Sequence, residues 1–290
     1  MTVPSAAGPR GVDHYENFPV ASWLCPPALR PAVVAIYGFA RTADDIADEG
    51  DADPATRLAL LAQYETDLRT CVAGHGGSSR WPGVFGPLAM AIERHALPVS
   101  LLSDLLSAFT QDVERTRDAR GYTDRADLLD YCRRSANPVG RLLLHLYGRT
   151  SALALAESDR VCTALQLINF WQDISIDLPR GRRYLPDADL IAHGMDPATP
   201  DRWPAHPGAP ALVRSLAEWA RELMLAGSPI VHRVPGRAGW ELRAVVQGGL
   251  RILDKIEHQG FDTFTRRPRI GAGDAPLLLW RCLRMKQSPP

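Results

Sequence analysis

The sequence predicts an all-α protein, and three observations carry that expectation. Apolar residues recur at three- and four-residue steps through most of the chain. Strand signals are scarce, with no series of alternating β-branched segments joined by hairpin turns. A composition of 46% hydrophobic and 23% charged residues over 290 positions supplies a large core. No fixed-period repeat and no biased linker divides the chain, so residues 1–290 are expected to form one domain of packed helices with mobile ends.

The helices follow in order. "LRPAVVAIYGFARTADDIADE" (29–49) sets Val33, Ile36, Tyr37, Ala40 and Ala43–Asp44 along one stripe. "SLLSDLLSAFTQDVERTRD" (100–118) repeats Leu101, Leu102, Leu105, Leu106 and Phe109 in the same way. "ADLLDYCRRSANPVGRLLLHLYG" (126–148) is helical with a kink or break near Asn137, because Pro138 restricts the residue before it. The segments 158–178, 210–227 and 239–259 complete the set, and residues 74–83 and 192–210, rich in Gly and Pro, are loops.

Lys plus Arg and Asp plus Glu balance at 33 each, which argues against a nucleic-acid partner. The five cysteines, at 25, 71, 132, 162 and 282, form no C-x-x-C pair and are expected to be reduced thiols. "MTVPSAAGPR" lacks the regions of a signal peptide and no apolar run is long enough to span a bilayer, so the expected location is the cytoplasm.

Two acidic clusters stand out. In "RTADDIADEG" (41–50), Asp44 and Asp48 lie four apart on one helical face, with Asp45 three before Asp48. Alone, this pair reads as a solvated helix end. The second cluster changes that reading. In "LQLINFWQDISIDLPRGRRYLP" (165–186), Asn169, Asp173 and Asp177 follow at four-residue steps, with Gln166 one turn earlier, inside a strongly apolar helix. Carboxylate and amide oxygens are hard ligands suited to Mg²⁺ or Mn²⁺, and neither stripe holds the His or Cys that zinc prefers. Mg²⁺ commonly bridges protein carboxylates to substrate phosphates. Arg41 beside the first cluster and Arg180, Arg182 and Arg183 after the second bring guanidinium groups suited to phosphate. No P-loop or G-x-G-x-x-G is present, so no nucleotide cofactor is expected.

With these motifs, the chain from about His14 to Gly260 resembles the squalene/phytoene synthase family. "YGFARTADDIAD" is similar to its first aspartate-rich motif and "LQLINFWQDISIDLPRGRRYLP" to its second. The resemblance implies an isoprenoid-synthase helical bundle with a central apolar cavity, the aspartate helices facing each other at its mouth. It assigns Asp44, Asp48, Asn169, Asp173 and Asp177 to metal binding. It places His14, Arg41, Arg182 and Tyr184 around the diphosphate, and Tyr131 of "DLLDYCRRSANPVG" near the reacting carbons; Asp45, Gln166, Asn169 and Gln172, in and beside the two clusters, are also expected to contact the substrate.

"NFPVAS", "SANPVG" and "NFWQD" look like the hydroxysqualene-synthase branch of hopanoid pathways. That branch converts presqualene diphosphate and water to hydroxysqualene and diphosphate. Gln172 and Asn137, where the chain departs from the family pattern, are the residues expected to orient the capturing water. The aromatic rings of Tyr37, Phe39, Phe170 and Trp171 are candidates to stabilise a carbocation, each against an ordinary core role. Three alternatives stay open: a head-to-head prenyl transferase, a phosphohydrolase and a non-catalytic lipid-binding protein. The hydrophobic product implies transient contact with the inner face of the membrane and work alongside other enzymes of the pathway.

Overall fold

The structure is a computed structural model that describes residues 25–74 and 78–285. His14 lies outside the described residues. Among them the chain forms helices and no strand, its one extended pairing being an isolated bridge between Tyr122 and Pro186.

The first half contains α1 (Arg30–Asp48), α2 (Pro54–Val72), α3 (Pro82–His95) and α4 (Val99–Arg117). Local chemistry sets several starts. Asp53 caps α2 by accepting from the Thr56 amide, and Pro54 fills the first helical position. Phe39 of α1, Tyr64 of α2 and Phe85 of α3 are fully buried against one another, with ring centroids 4.8–6.0 Å apart. Phe39 is therefore core rather than cavity wall. The helices α2 and α3 were not expected from the periodicity of the sequence, and both close the outer side of α1.

In the second half, α5 (Arg125–Ser135) is capped by Asp124 and gives way at Ala136 to α6 (Asn137–Leu146). Pro138 sits in the first turn of α6, where its missing N–H costs nothing, so the expected kink is a full break between two helices. Next comes α7 (Ala152–Gln172), capped by Ser151, with twelve of its 21 residues buried; it is a core helix on almost every side. Trp171, wholly buried, packs near Trp219 and belongs to this core.

Asp173 ends α7 rather than continuing it. The Ser175 amide donates to the Thr263 carbonyl instead of to its own helix, and a short turn, α8 (Ile174–Asp177), follows. The single stripe expected through Asn169, Asp173 and Asp177 is thus broken in two. The chain continues through α9 (Asp187–Ala192), α10 (Ala209–Gly227), α11 (Gly236–His258) and α12 (Ala275–Arg284). The expected loop at 192–210 contains one short 3-10 turn, Pro200–Ala205.

Apolar packing falls into two cores, one formed by α1 to α4 with Leu142 and the other by α5 to α11 with Ala108 of α4. Between them lies a cavity of about 1640 Å³, walled by α1, α4, α5, α6, α7 and α11. All five cysteines are buried free thiols. Among the described residues no helix is long and apolar enough to cross a membrane.

Candidate active site

The two acidic clusters meet at the mouth of this cavity. Asp44 and Asp48 project from the last turns of α1; Asn169 and Asp173 lie at the end of α7, and Asp177 closes α8. Arg182 joins the edges, donating to Asp48 at 2.8 Å and standing 3.8 Å from Asp177. Arg41 holds the other side of the first cluster, 3.3 Å from Asp44, 2.8 Å from Asp45 and 3.7 Å from Glu49.

Other expected site residues divide. Gln166, Gln172, Tyr131 and Tyr184 line the cavity. Gln172 already donates its amide to the Pro268 carbonyl at 2.7 Å. Asn137, the first residue of α6, does not line the cavity: it is buried and its side-chain oxygen accepts from the Thr163 hydroxyl at 3.0 Å, away from the expected water site. Arg183 turns away to the carbonyls of Ala119 and Pro197. Tyr37 and Phe170 are the aromatic candidates that do reach the cavity.

Two residues of the site escaped the sequence reading. Arg267, from the segment after α11, forms a two-pronged pair with Asp173, its Nη2 at 2.8 Å from one oxygen. Asp112 of α4 receives the Tyr131 hydroxyl in a short hydrogen bond, with the Tyr184 hydroxyl 3.5 Å from its other oxygen. Tyr184 in turn stacks on Phe170, centroids 3.8 Å apart, so the polar pair is braced by rings. A signal for Asp112 existed: it interrupts the apolar stripe of α4 between Phe109 and Val113.

The carboxylates are crowded. Burial, then the neighbouring Asp48, pushes Asp44 up to about 7. Burial raises Asp112 to about 7 against the pull of Tyr131 and Arg182, and raises Asp177 to about 6 against the pull of Arg182. Burial also keeps the Tyr131 and Tyr184 phenols protonated, hence donors.

These shifts have a sign. Near neutral pH the folded protein holds protons that the unfolded chain has already lost above its ordinary carboxylate range. Stability is therefore greatest in mild acid and falls as pH rises through about 6–7. The metal-free protein is expected to melt several degrees higher at pH 5 than at pH 8, with Asp112 dominant because Asp44 is 41% open to solvent. Mg²⁺ with diphosphate should narrow the gap; a flat profile by differential scanning fluorimetry would contradict the crowding.

The donors suit a hard divalent cation. The Asp48 Oδ1 atom is buried with no hydrogen-bond partner, and the clustered carboxylates resist ionising together without added positive charge. Among the described residues no three acidic, His or Cys side chains converge on one point. Each ion would therefore take few protein oxygens and complete its shell from water and substrate, as Mg²⁺ does.

Facing carboxylate edges bridged by arginine, at the mouth of a large apolar cavity in a helical bundle, define an enzyme that handles the diphosphate of a long-chain lipid. The sequence model for squalene/phytoene synthases matches residues 12–274, and the chain belongs to that family. It is 35% identical to a hydroxysqualene synthase from Sinorhizobium fredii over 87% of this chain and 82% of that one. It is 31% identical to a phytoene synthase from Thermus thermophilus over 96% and 91%. Among solved structures it superposes on squalene synthase HpnC from Alicyclobacillus acidocaldarius with a TM-score of 0.76 at 36% identity, covering 86% of this chain and 90% of that one. A dehydrosqualene synthase, 23% identical with a TM-score of 0.77 and coverage of 91% and 89%, shares the fold.

Proposed function

We propose that this protein converts presqualene diphosphate and water to hydroxysqualene and diphosphate, a step of hopanoid biosynthesis. The observation that carries the reading is the two-edged acidic mouth opening on a cavity of about 1640 Å³. That volume exceeds the ~300–1,000 Å³ of ordinary small-molecule pockets and suits a long branched hydrocarbon. The similarity to a hydroxysqualene synthase supports the branch.

Asp44, Asp48, Asn169, Asp173 and Asp177 are the residues that would hold Mg²⁺ or Mn²⁺. The metal supplies charge neutralisation to the leaving diphosphate. Arg41 and Arg182 sit where they can exchange their carboxylate partners for phosphate oxygens. Breaking the carbon–oxygen bond leaves a carbocation on the lipid and both bonding electrons on diphosphate. The apolar walls from α6 and α11 keep bulk water from it. Tyr131, fixed by Asp112, presents its ring and hydroxyl at the border between the polar mouth and these walls.

One water must still be admitted. Ser135 is a better holder than Asn137: it lies one turn along α5 from Tyr131, lines the cavity, and its buried hydroxyl has no protein partner. Water held there adds its oxygen to the cation and loses a proton, giving the alcohol.

A second reading, head-to-head condensation of prenyl diphosphates, is favoured by the similarity to phytoene synthase over nearly the whole chain. The test incubates purified enzyme and Mg²⁺ with presqualene diphosphate, with and without NADPH, and separately with farnesyl and geranylgeranyl diphosphates. An alcohol from presqualene diphosphate in both reductant conditions supports the proposal. Squalene only with NADPH, or turnover of the shorter diphosphates alone, selects a neighbouring activity. Ser135→Ala should consume presqualene diphosphate at a similar rate and yield less alcohol relative to other products. An unchanged product ratio removes Ser135 from the water site.

A further inference from the structure

The surface around α12 carries apolar groups that an all-protein exterior has no use for. Leu279, Trp280 and Leu283 are 64%, 50% and 62% exposed, and Trp240 on the adjoining α11 is 44% exposed. On a helix Pro276, Leu279, Trp280 and Leu283 share one outward arc, while Cys282 on the other side is buried toward α11. Arg243 fixes the two helices together by donating to the Cys282 carbonyl at 3.2 Å.

The charges set directly against the exposed rings are positive. Arg243 lies 4.5 Å over the Trp240 ring and Arg284 4.5 Å over the Trp280 ring. There is no acidic residue in α12. Of the carboxylates on this side, Glu241 beside Trp240 lines the cavity, Asp254 takes Arg221 and Arg281, and Asp274 takes Arg251 and Lys255. From Arg233 to the end of the chain there are eleven Lys and Arg against five Asp and Glu, in a protein balanced overall.

The patch also adjoins the cavity. Ala238, Leu242 and Val245 of α11 line it, and Ala244, one turn from Trp240, both lines it and is exposed. The cavity wall on α11 thus includes an exposed residue one turn from Trp240, away from the aspartates of α1.

We propose that this face, Trp240 with Leu279, Trp280 and Leu283, docks on an anionic lipid surface and sets the α11 side of the cavity against it. The helix is too short to span a bilayer, but its residues match an interfacial element. Leucines enter the acyl boundary, tryptophan rings sit at the headgroup level, and arginines keep their charge among lipid phosphates. A second protein surface would have to supply anions and apolar groups together; an anionic bilayer does so everywhere. The role in lipid transfer rests on the proposed substrate, whereas the docking does not, so vesicle binding without substrate tests it separately.

The full-length protein is floated with vesicles of phosphatidylcholine alone, or mixed with phosphatidylglycerol, and its oligomeric state is measured by light scattering. Wild type is expected to bind the mixed vesicles at least about tenfold better than the neutral ones, with added salt reducing the difference. The triple variant Leu279→Ser/Trp280→Ser/Leu283→Ser should lose at least tenfold of that binding, and Arg284→Glu a smaller part. Because all four residues are on the surface, circular dichroism should be unchanged. Wild type that stays unbound, or variants that float as it does, overturn the proposal. So does a wild-type dimer that the triple variant turns into a monomer, which would give the face to a second copy.

Discussion

Asp44→Ala and Asp173→Ala are each expected to lose on the order of 10³-fold in Mg²⁺-dependent turnover while keeping the helical fold. The two residues occupy opposite edges of the mouth, one on α1 and one at the end of α7. Their losses should therefore be similar although the residues are distant in sequence. Removing Asp173 frees Arg267 from its two-pronged pair, whereas removing Asp44 leaves Arg41 paired with Asp45; in both variants the local charge becomes more positive. Diphosphate alone could then bind as well as before while the lipid is not converted. Measuring kcat and diphosphate inhibition together separates these effects, with circular dichroism as the folding control. Full turnover in either variant would remove that edge from the reaction.

The second large effect is structural. In Gly227→Ala, the new Cβ would stand 2.6 Å from the Glu157 carbonyl oxygen, 2.8 Å from a Val161 methyl and 2.9 Å from the Arg160 Cβ. Two of these belong to backbone or to a Cβ and cannot rotate aside. Glu157 is further held by Arg233, which grips both carboxylate oxygens. The seam between α10 and α7 must open, at a cost of about 2–3 kcal/mol. For 290 residues a fall in Tm of roughly 3–5 °C follows, at ~1.6 °C per kcal/mol. Gly83 is the contrast: an exposed helical position with nothing within 4 Å of a new Cβ and no proline after it, where alanine should be neutral or slightly stabilising. Equal melting of the two variants would show that the seam yields.

The helical class and the acidic mouth were legible because each depends on spacing within one helix. Asp44 with Asp48, and Asn169 with Asp173, are local patterns that survive into the fold. What was not legible depends on meetings across the chain. Asp112 becomes part of the site through Tyr131, 19 residues later, and Arg267 through Asp173, 94 residues earlier. The helix α2 buries only Leu61, Tyr64, Leu68 and Cys71, a narrow seam that its many exposed residues obscure. In α3, Gly83, Gly86 and Pro87 hide a helix whose order comes from packing beneath Phe85 rather than from propensity. The break at Asp173 was hidden too, since it depends on a carbonyl from Thr263. The error about Asn137 is of the same kind: its departure from the family pattern answers to Thr163 behind it, not to the cavity before it.

The division of the interior into two cores with a cavity between them means that part of the apolar interior does not close on itself. Apolar side chains of α1 and α4 look across open space at those of α6, α7 and α11, and helix-to-helix contact satisfies only part of their surface. A long hydrocarbon entering that space would act as a guest core, joining halves that otherwise touch along their edges. Ligand occupancy and rigidity then become one quantity, and a thermal melt reads the fit of a lipid chain without any chemistry taking place.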